Sequence, residues 1–289
     1  MTKVVVTGAG QLAWELQRTV PSGIEFISLP RCELDITQGE KVKKCIEEIQ
    51  PAAVINAAAY TAVDKAESEK EQAFAVNRYG PENLAKVCQG VGAYFLHIST
   101  DFVFDGQSSK PYTPEENKKP LGIYGESKAA GEDALAKSMV SNWAIIRTAW
   151  VYSSHGNNFV KTMLRLMNDK PQLGVVGDQI GTPTWAKGLA KVCWAAVENK
   201  IEGVYHWTDA GVASWYDFAV AIQRLGLEKG KLTSPIPVSS IATEDYPTPA
   251  ARPAYSVLDK NKILKALPEI SIEHWQDQLA DMIGELTSD

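Results

Sequence analysis

The chain has 289 residues, of which 45% are hydrophobic and 22% charged, and its formal net charge is -6. That composition is globular and excludes a disordered or fibrous chain. A mildly acidic balance with no basic block leaves no electrostatic footprint for a nucleic acid polymer or an anionic membrane surface.

The opening MTKVVVTGAG passes from one lysine straight into a strand-like run, too short and too polar for a signal peptide. No apolar stretch reaches the roughly 18 residues of a membrane span. Cys32, Cys45, Cys88 and Cys193 are scattered without metal-ligand spacing and read as reduced thiols of a cytoplasmic protein. Val4 to Val6 is a β-branched run ending at Thr7-Gly8, and Gln11 to Val20 then reads as a helix. Glu25 to Leu29 is a strand, and Gln38 to Ile49 a helix with Val42, Cys45, Ile46 and Ile49 at helical spacing. Ala53 to Asn56 is a strand running into AAAY. Glu71 to Gln89 reads as one long helix, Tyr94 to Ile98 as a strand ending in STDF, Ser127 to Lys137 as a helix, and Ala144 to Ile146 as a strand ending in RTAW.

Past Trp150 the rhythm loosens. Helices are expected over Asn158 to Met167, Trp185 to Val197 and Trp215 to Leu225, the last capped by Ser214, with a strand at Val204 to Trp207. Prolines 235, 237, 247, 249 and 253 punctuate an irregular region before two short helices, about Lys260 to Leu267 and Ile272 to Ile283. Apolar strands alternating with helices predict an α/β fold with a doubly wound parallel sheet and a smaller, interleaved α/β lobe. TGAGQ, NAAAY, STDF and RTAW all fall at strand tips, where ligands of such sheets bind.

Gly8-Ala9-Gly10-Gln11-Leu12-Ala13 follows a strand and opens a helix, the context of a dinucleotide fingerprint and hence of a Rossmann domain. Gly8 permits the tight turn, Gly10 the approach of a pyrophosphate, and Ala13 close packing of helix on sheet. After the second strand, Arg31 either pairs with the 2′-phosphate of NADP or is an ordinary surface arginine. Asp35 either accepts from an adenine amino group or caps the next helix. The reading is NADPH, with NADH as the other nicotinamide cofactor.

Tyr124 and Lys128 stand four apart in IYGESK and so share a helix face. An ammonium beside a phenol makes it a proton donor for a carbonyl oxygen receiving hydride, and Thr100 can hydrogen-bond the same oxygen. Asn56 and Ala57 to Ala59 either press against a cofactor or pack tightly. His97 reads as a buried, hydrogen-bonded residue and His155 as a solvated loop residue. Four histidines with none paired at ligand spacing give no metal hydrolase site, and no nucleophile elbow or P-loop is present.

With LDIT, NAAAYTAVDKAE, NRYGPENLA, STDFVFDG, PLGIYGESKAAGE, RTAWVY, GNNFVKTMLRL, DQIGTPTWA, GVYHWTDAG and YPTPAARP, nearly the whole chain resembles the extended short-chain dehydrogenase/reductase superfamily, and within it the dTDP-4-dehydrorhamnose reductase family. The resemblance implies reduction of a nucleotide-linked 4-ketosugar, with Tyr124 the proton donor and Lys128 its partner. It puts Gln11, Leu12, Asp35, Ile36, Ala59, Tyr60, Thr61 and Ile98 at the cofactor. Thr100, Asp101, Trp150, Asn158 and Arg252 fall at the sugar nucleotide. Residues 1–150 would form the dinucleotide-binding domain, with returns from about 183–205 and about 235–245, and 151–289 mostly the sugar-nucleotide lobe.

Three departures from the family pattern stand out. The glycine turn GAGQ is one residue short, and Phe102 replaces the tyrosine of STDYVF. Glu15 matches one of the glutamates that hold a magnesium ion between subunits in some members, but its partners are not identifiable, so no metal is assigned. The chain is read as a monomer or homodimer. The competing functions are reduction of another nucleotide-linked 4-ketosugar and a non-catalytic NADP-binding regulatory subunit. The lack of a Glu next to Asp101 argues against a dehydratase.

Overall fold

The computed structural model describes residues 1–286. Its core is a six-stranded parallel sheet of β1 (Thr2–Thr7), β2 (Ile24–Leu29), β3 (Ala53–Asn56), β4 (Tyr94–Thr100), β5 (Trp143–Thr148) and β6 (Gly203–His206), ordered β2-β1-β3-β4-β5-β6. The order reverses direction between β1 and β3, and a crevice opens beyond the strand ends at such a point. Consecutive valines work here because both faces of the sheet are covered. Val4, Val6, Ile55, Leu96 and Ile146 pack under α1 (Gln11–Arg18) and α6 (Ala186–Asn199). Val5, Val54, Phe95 and Ile145 pack under α2 (Gly39–Ile49), α3 (Gly80–Val91) and α4 (Ile123–Ser138).

The smaller lobe has its own core, in which Met163, Phe218, Ile222, Leu279 and Met282 join α5 (Phe159–Asp169), α7 (Trp215–Glu228) and α8 (Trp275–Glu285). Ser214 caps α7 in a full capping box with Asp217. The stretch around 238–241, expected to return to the first domain, instead pairs in parallel with Leu173–Val176 inside this lobe. By contrast α6 and β6 lie on the large sheet, although the chain reaches them after starting the second lobe.

The long helix expected over Glu71 to Gln89 is broken. Lys70–Phe74 runs into a π-turn, Ala75–Tyr79, before α3 begins with Pro81 in its first turn. Pro81 lacks the amide that a continuous helix needs, and the widened turn absorbs that loss. The turn also swings Asn77 inward. Its side chain accepts from the Tyr60 amide (2.9 Å) and donates to the Tyr60 carbonyl (3.0 Å) and to Ser127 Oγ on α4 (3.0 Å). Helix α4 lies close enough to the π-turn that a side chain on Gly131 would run into the Asn77 carbonyl. Gly131→Ala should therefore destabilise the protein by ~1–3 kcal/mol through overpacking. Gly90→Ala, where a Cβ meets nothing within 4 Å, should stabilise it by ~0.5–1 kcal/mol. Urea unfolding of both variants checks the contrast.

Candidate active site

The crevice begins at the glycine turn. Gly8 has φ +91°, and a Cβ there would press on the Ala58 backbone at 3.0 Å, so the tips of β1 and β3 approach as only glycine allows. Gly10 precedes α1 without a side-chain cap, and a Cβ on it would point into open space. The first amides of α1 are thus left for an anion. One residue short of the usual pattern, the turn keeps both features, and Ala13 is buried against the sheet.

A cleft of about 550 Å³ runs from Arg31, Asp35 and Ile36 past Gly8, Gly10, Gln11 and Leu12 to Ala59, Tyr60 and Thr61. It adjoins a second of about 460 Å³ that holds Ile98, Thr100, Asp101, Tyr124, Lys128, Trp150 and Arg252; Gln11, Leu12, Ala59 and Thr61 line both. The shape suits a dinucleotide laid across the strand ends. Arg31 and Asp35 form an ion pair at 3.5 Å. Asp35 does not cap α2, since its Oδ1 accepts from Thr37 N and Oγ1 in a turn before Gln38 begins the helix. The Ile36 carbonyl is fixed by Asn83 Nδ2 at 3.0 Å. His155 is exposed at the rim, stacked on Trp14 at 5.0 Å.

The reactive end is set by the start of α4. Glu67 Oε1 accepts from the Ile123 amide at 2.9 Å, and Gly125 lets the first turn lie against the Phe102 carbonyl. Phe102 packs edge-on to Tyr124, with ring centroids 5.4 Å apart. Lys128 is buried, and its Nζ donates to the Ile98 carbonyl at 2.6 Å. Burial brings Lys128 down to about 8, with Glu132 one turn along the helix opposing the fall. Burial pushes the Tyr124 phenol up to about 12; a hydrogen bond with Thr100 opposes this and the Asp101 carboxylate adds to it. The expected lowering of the phenol by Lys128 is not seen: burial dominates, and the groups that act on the phenol are Thr100 and Asp101. A phenol that stays protonated at neutral pH is an acid in the form a donor needs. Burial also raises Asp101, to about 6, against hydrogen bonds from Ser256 and Thr100.

On the far side Trp150 adopts φ +49° and stacks on Trp215, with centroids 3.6 Å apart and planes 8° from parallel. Arg252 makes a bidentate pair with Asp64, at 3.0 and 2.8 Å, joining the Pro-rich loop to the segment after β3. Both Arg252 and Trp215 also line a third, mostly apolar cleft of about 420 Å³ in the smaller lobe, with Phe159, Met163, Leu173 and Val175. Asn158 lines none of these clefts. Its Oδ1 caps α5, and its Nδ2 donates to Gln11 Oε1 and to the Ser153 carbonyl, so it steadies Gln11 from the other lobe. Asp64, Trp215 and Ser256 escaped the sequence reading. Asp64 lies in NAAAYTAVDKAE, where an acid near a strand tip was its only signal.

At the magnesium position one carboxylate oxygen of Glu15, Oε2, is buried without a hydrogen-bond partner. Glu15 accepts from Ser153 Oγ at 2.7 Å, and the nearby Glu285 is neutralised by Lys187 at 2.6 Å and Arg18 at 3.3 Å.

Burying the Lys128 ammonium is costly, and the pH dependence follows from its direction. Its proton affinity in the fold lies below the ordinary 10.5, so the unfolded chain binds more protons between pH 8 and that value, and stability rises with pH across the window. Below about pH 8 the cost is complete, of order ~3 kcal/mol. Lys128→Met removes it but leaves the Ile98 carbonyl without its donor, which costs ~1 kcal/mol or more. The variant should gain ~1–2 kcal/mol at pH 7, and the gain should shrink by pH 10, as read by urea unfolding at both pH values.

The sequence model of the family described as the RmlD substrate binding domain matches residues 1–288. A dTDP-4-dehydrorhamnose reductase of Aggregatibacter actinomycetemcomitans is 42% identical, over 98% of each chain. The spore coat polysaccharide biosynthesis protein SpsK of Bacillus subtilis is 40% identical, over 100% of this chain and 99% of its own. Among solved structures, dTDP-4-dehydrorhamnose reductase from Bacillus anthracis in complex with NADP superposes with a TM-score of 0.92 at 35% identity, covering 98% of this chain and 99% of that one. With its glycine turn, its Tyr124–Lys128 helix and a likeness that spans both lobes, the chain belongs to the RmlD substrate binding domain family, that of the dTDP-4-dehydrorhamnose reductases.

Proposed function

We propose that the protein is an NAD(P)H-dependent oxidoreductase that reduces the 4-keto group of dTDP-4-dehydro-β-L-rhamnose to give dTDP-β-L-rhamnose. The observation that carries this reading is one continuous crevice in which the glycine turn leads directly to Tyr124, Thr100 and Lys128. NADPH or NADH, when bound, supplies the hydride. Gly8, Gly10 and the α1 amides would hold its pyrophosphate, and Arg31, beside Asp35 at the opposite end, would favour the 2′-phosphate of NADPH. Tyr124 gives its proton to the carbonyl oxygen as negative charge develops there, and Thr100 hydrogen-bonds that oxygen. Lys128 restores the proton to the phenol.

Asp101 and the Trp150–Trp215 wall would orient the sugar, and Arg252 would meet the diphosphate, since its planar fork suits phosphate oxygens. The apolar room in the smaller lobe would take the thymine ring. Four unpaired cysteines and a reduced cofactor agree with a cytoplasmic location, and no described helix is long and apolar enough to cross a membrane.

Mixing the protein with NADPH and the 4-ketosugar nucleotide should consume reduced-nicotinamide absorbance over many turnovers. Cofactor binding without turnover on this and related ketosugars would point to the regulatory subunit instead. Tyr124→Phe should lower kcat by ~10²–10⁴-fold, the usual worth of a positioned acid, with cofactor affinity retained. Arg252→Ala should raise KM for the sugar nucleotide by ~10–100-fold, the loss expected of charge-assisted hydrogen bonds, without weakening cofactor binding in titrations. Unchanged kcat in the first variant or unchanged KM in the second would remove that residue from its role.

A further inference from the structure

Beneath the reactive end lies a buried chain of polar groups that the mechanism above does not use. The Ala58 amide can only donate, so its partner at 3.2 Å is the carbonyl oxygen of the Asn56 side chain, which also accepts from Thr7 Oγ1 at 2.7 Å. That fixes the orientation of the Asn56 amide, whose Nδ2 then faces His97 Nδ1 at 3.0 Å. An amide nitrogen donates, so Nδ1 accepts and the single hydrogen of a neutral ring sits on Nε2. Nε2 lies 3.4 Å from Lys128 Nζ.

Lys128 as an ammonium has only hydrogens to offer, and two donors then face each other. As a neutral amine it has a lone pair, and the His97 N–H has a partner. Thr7, Asn56 and His97 are all buried, with no solvent to soften the mismatch. Burial, and then the charge of Lys128, hold His97 well below its ordinary range, so the ring itself stays neutral.

We propose that His97, locked in its Nε2–H tautomer by Asn56, is a positioning residue that favours the neutral amine of Lys128 and so readies that side chain to hand its proton to Tyr124. The inference rests on the reading of Tyr124 and Lys128 as the proton pair of the reaction. The step is balanced: the Tyr124 O–H bond breaks as the substrate oxygen takes the proton. A Lys128 N–H bond then breaks as the phenolate takes its proton, and the amine left behind accepts from His97 Nε2. Solvent returns one proton to Lys128 at the end of the cycle.

The groups facing Lys128 pull in opposite senses. Glu132, one turn along α4, favours the ammonium, but Arg147 from β5 grips that carboxylate at 2.9 and 2.8 Å, and Lys118 approaches it at 3.3 Å. Tyr124 on α4 and Asp101 after β4 share the cleft. Burial offsets Glu132, and His97 is the ring that faces Lys128 from the sheet side.

Two variants and one spectrum test the proposal. His97→Leu removes the N–H. Asn56→Asp keeps the shape, but its carboxylate accepts from Nδ1–H and turns the ring to the other tautomer, leaving Nε2 to accept from an ammonium. In both, the basic limb of the kcat profile and the titration of the Lys128 Cε resonance should move up by about one pH unit, the scale of one hydrogen bond. Nitrogen-15 spectra of the wild-type protein should show the His97 hydrogen on Nε2. A hydrogen on Nδ1, or a folded, cofactor-binding variant whose limb and titration do not move, would overturn the proposal. Should His97→Leu fail to fold, Asn56→Asp and the wild-type spectrum still decide. If Lys128→Met keeps full turnover, the underlying proton-pair reading fails. If it is inactive while the limbs stay fixed, only the part given to His97 fails.

Discussion

A positive charge held out of water is the constraint around which this centre is organised. Lys128 lies between α4 and the end of β4 with one backbone carbonyl as its close partner. An isolated buried ammonium is unfavourable by several kcal/mol, and its neighbourhood offsets part of that cost with Glu132 along the helix and the Ile98 carbonyl at the strand tip. Proton affinity near neutrality follows from that discomfort. The same desolvation keeps the phenol of Tyr124 protonated, so one physical cause shifts both groups.

The crevice needs two lobes held in register, and several of the links between them are polar. Arg252 grips Asp64, Asn158 steadies Gln11, and Glu285 at the end of α8 meets Arg18 on α1 and Lys187 on α6. All three run between a segment of the smaller lobe and an element flanking the large sheet. Ion pairs of this partly exposed kind add little stability, but they fix geometry. The apolar cores on either side are separate clusters, so small relative movements of the lobes leave both cores intact.

Much of this was legible in the sequence because the large sheet is built from runs that only a doubly covered strand tolerates. VVVT, AVIN and YFLHIST announce themselves, and the glycine turn, STDF and IYGESK fall at their tips. What escaped was non-local. The π-turn at Ala75–Tyr79 leaves the apolar period almost undisturbed, so pattern alone reads through it. The strand at 238–241 is a half-exposed edge with two serines and carries no signal of which sheet it joins. Asp64 and Arg252 are 188 residues apart in sequence, and no spacing rule connects them. Proximity of Lys128 to Tyr124 was legible; the balance between burial and charge at the phenol was not, because desolvation depends on what the rest of the chain packs around it.

The left-handed backbone of Trp150 carries one more implication. Its indole is wedged over Gly181, where any added carbon would strike the ring, and its other face is covered by Trp215. A side chain trapped between a residue with no side chain and a parallel aromatic has nowhere to swivel, so this wall of the chamber is stiff. Guests must match it in outline, since it will not mould itself to them. A descendant of this chain tuned to a bulkier sugar would have to change Trp215 or the loop carrying Gly181 before any alteration at Trp150 itself could be accommodated.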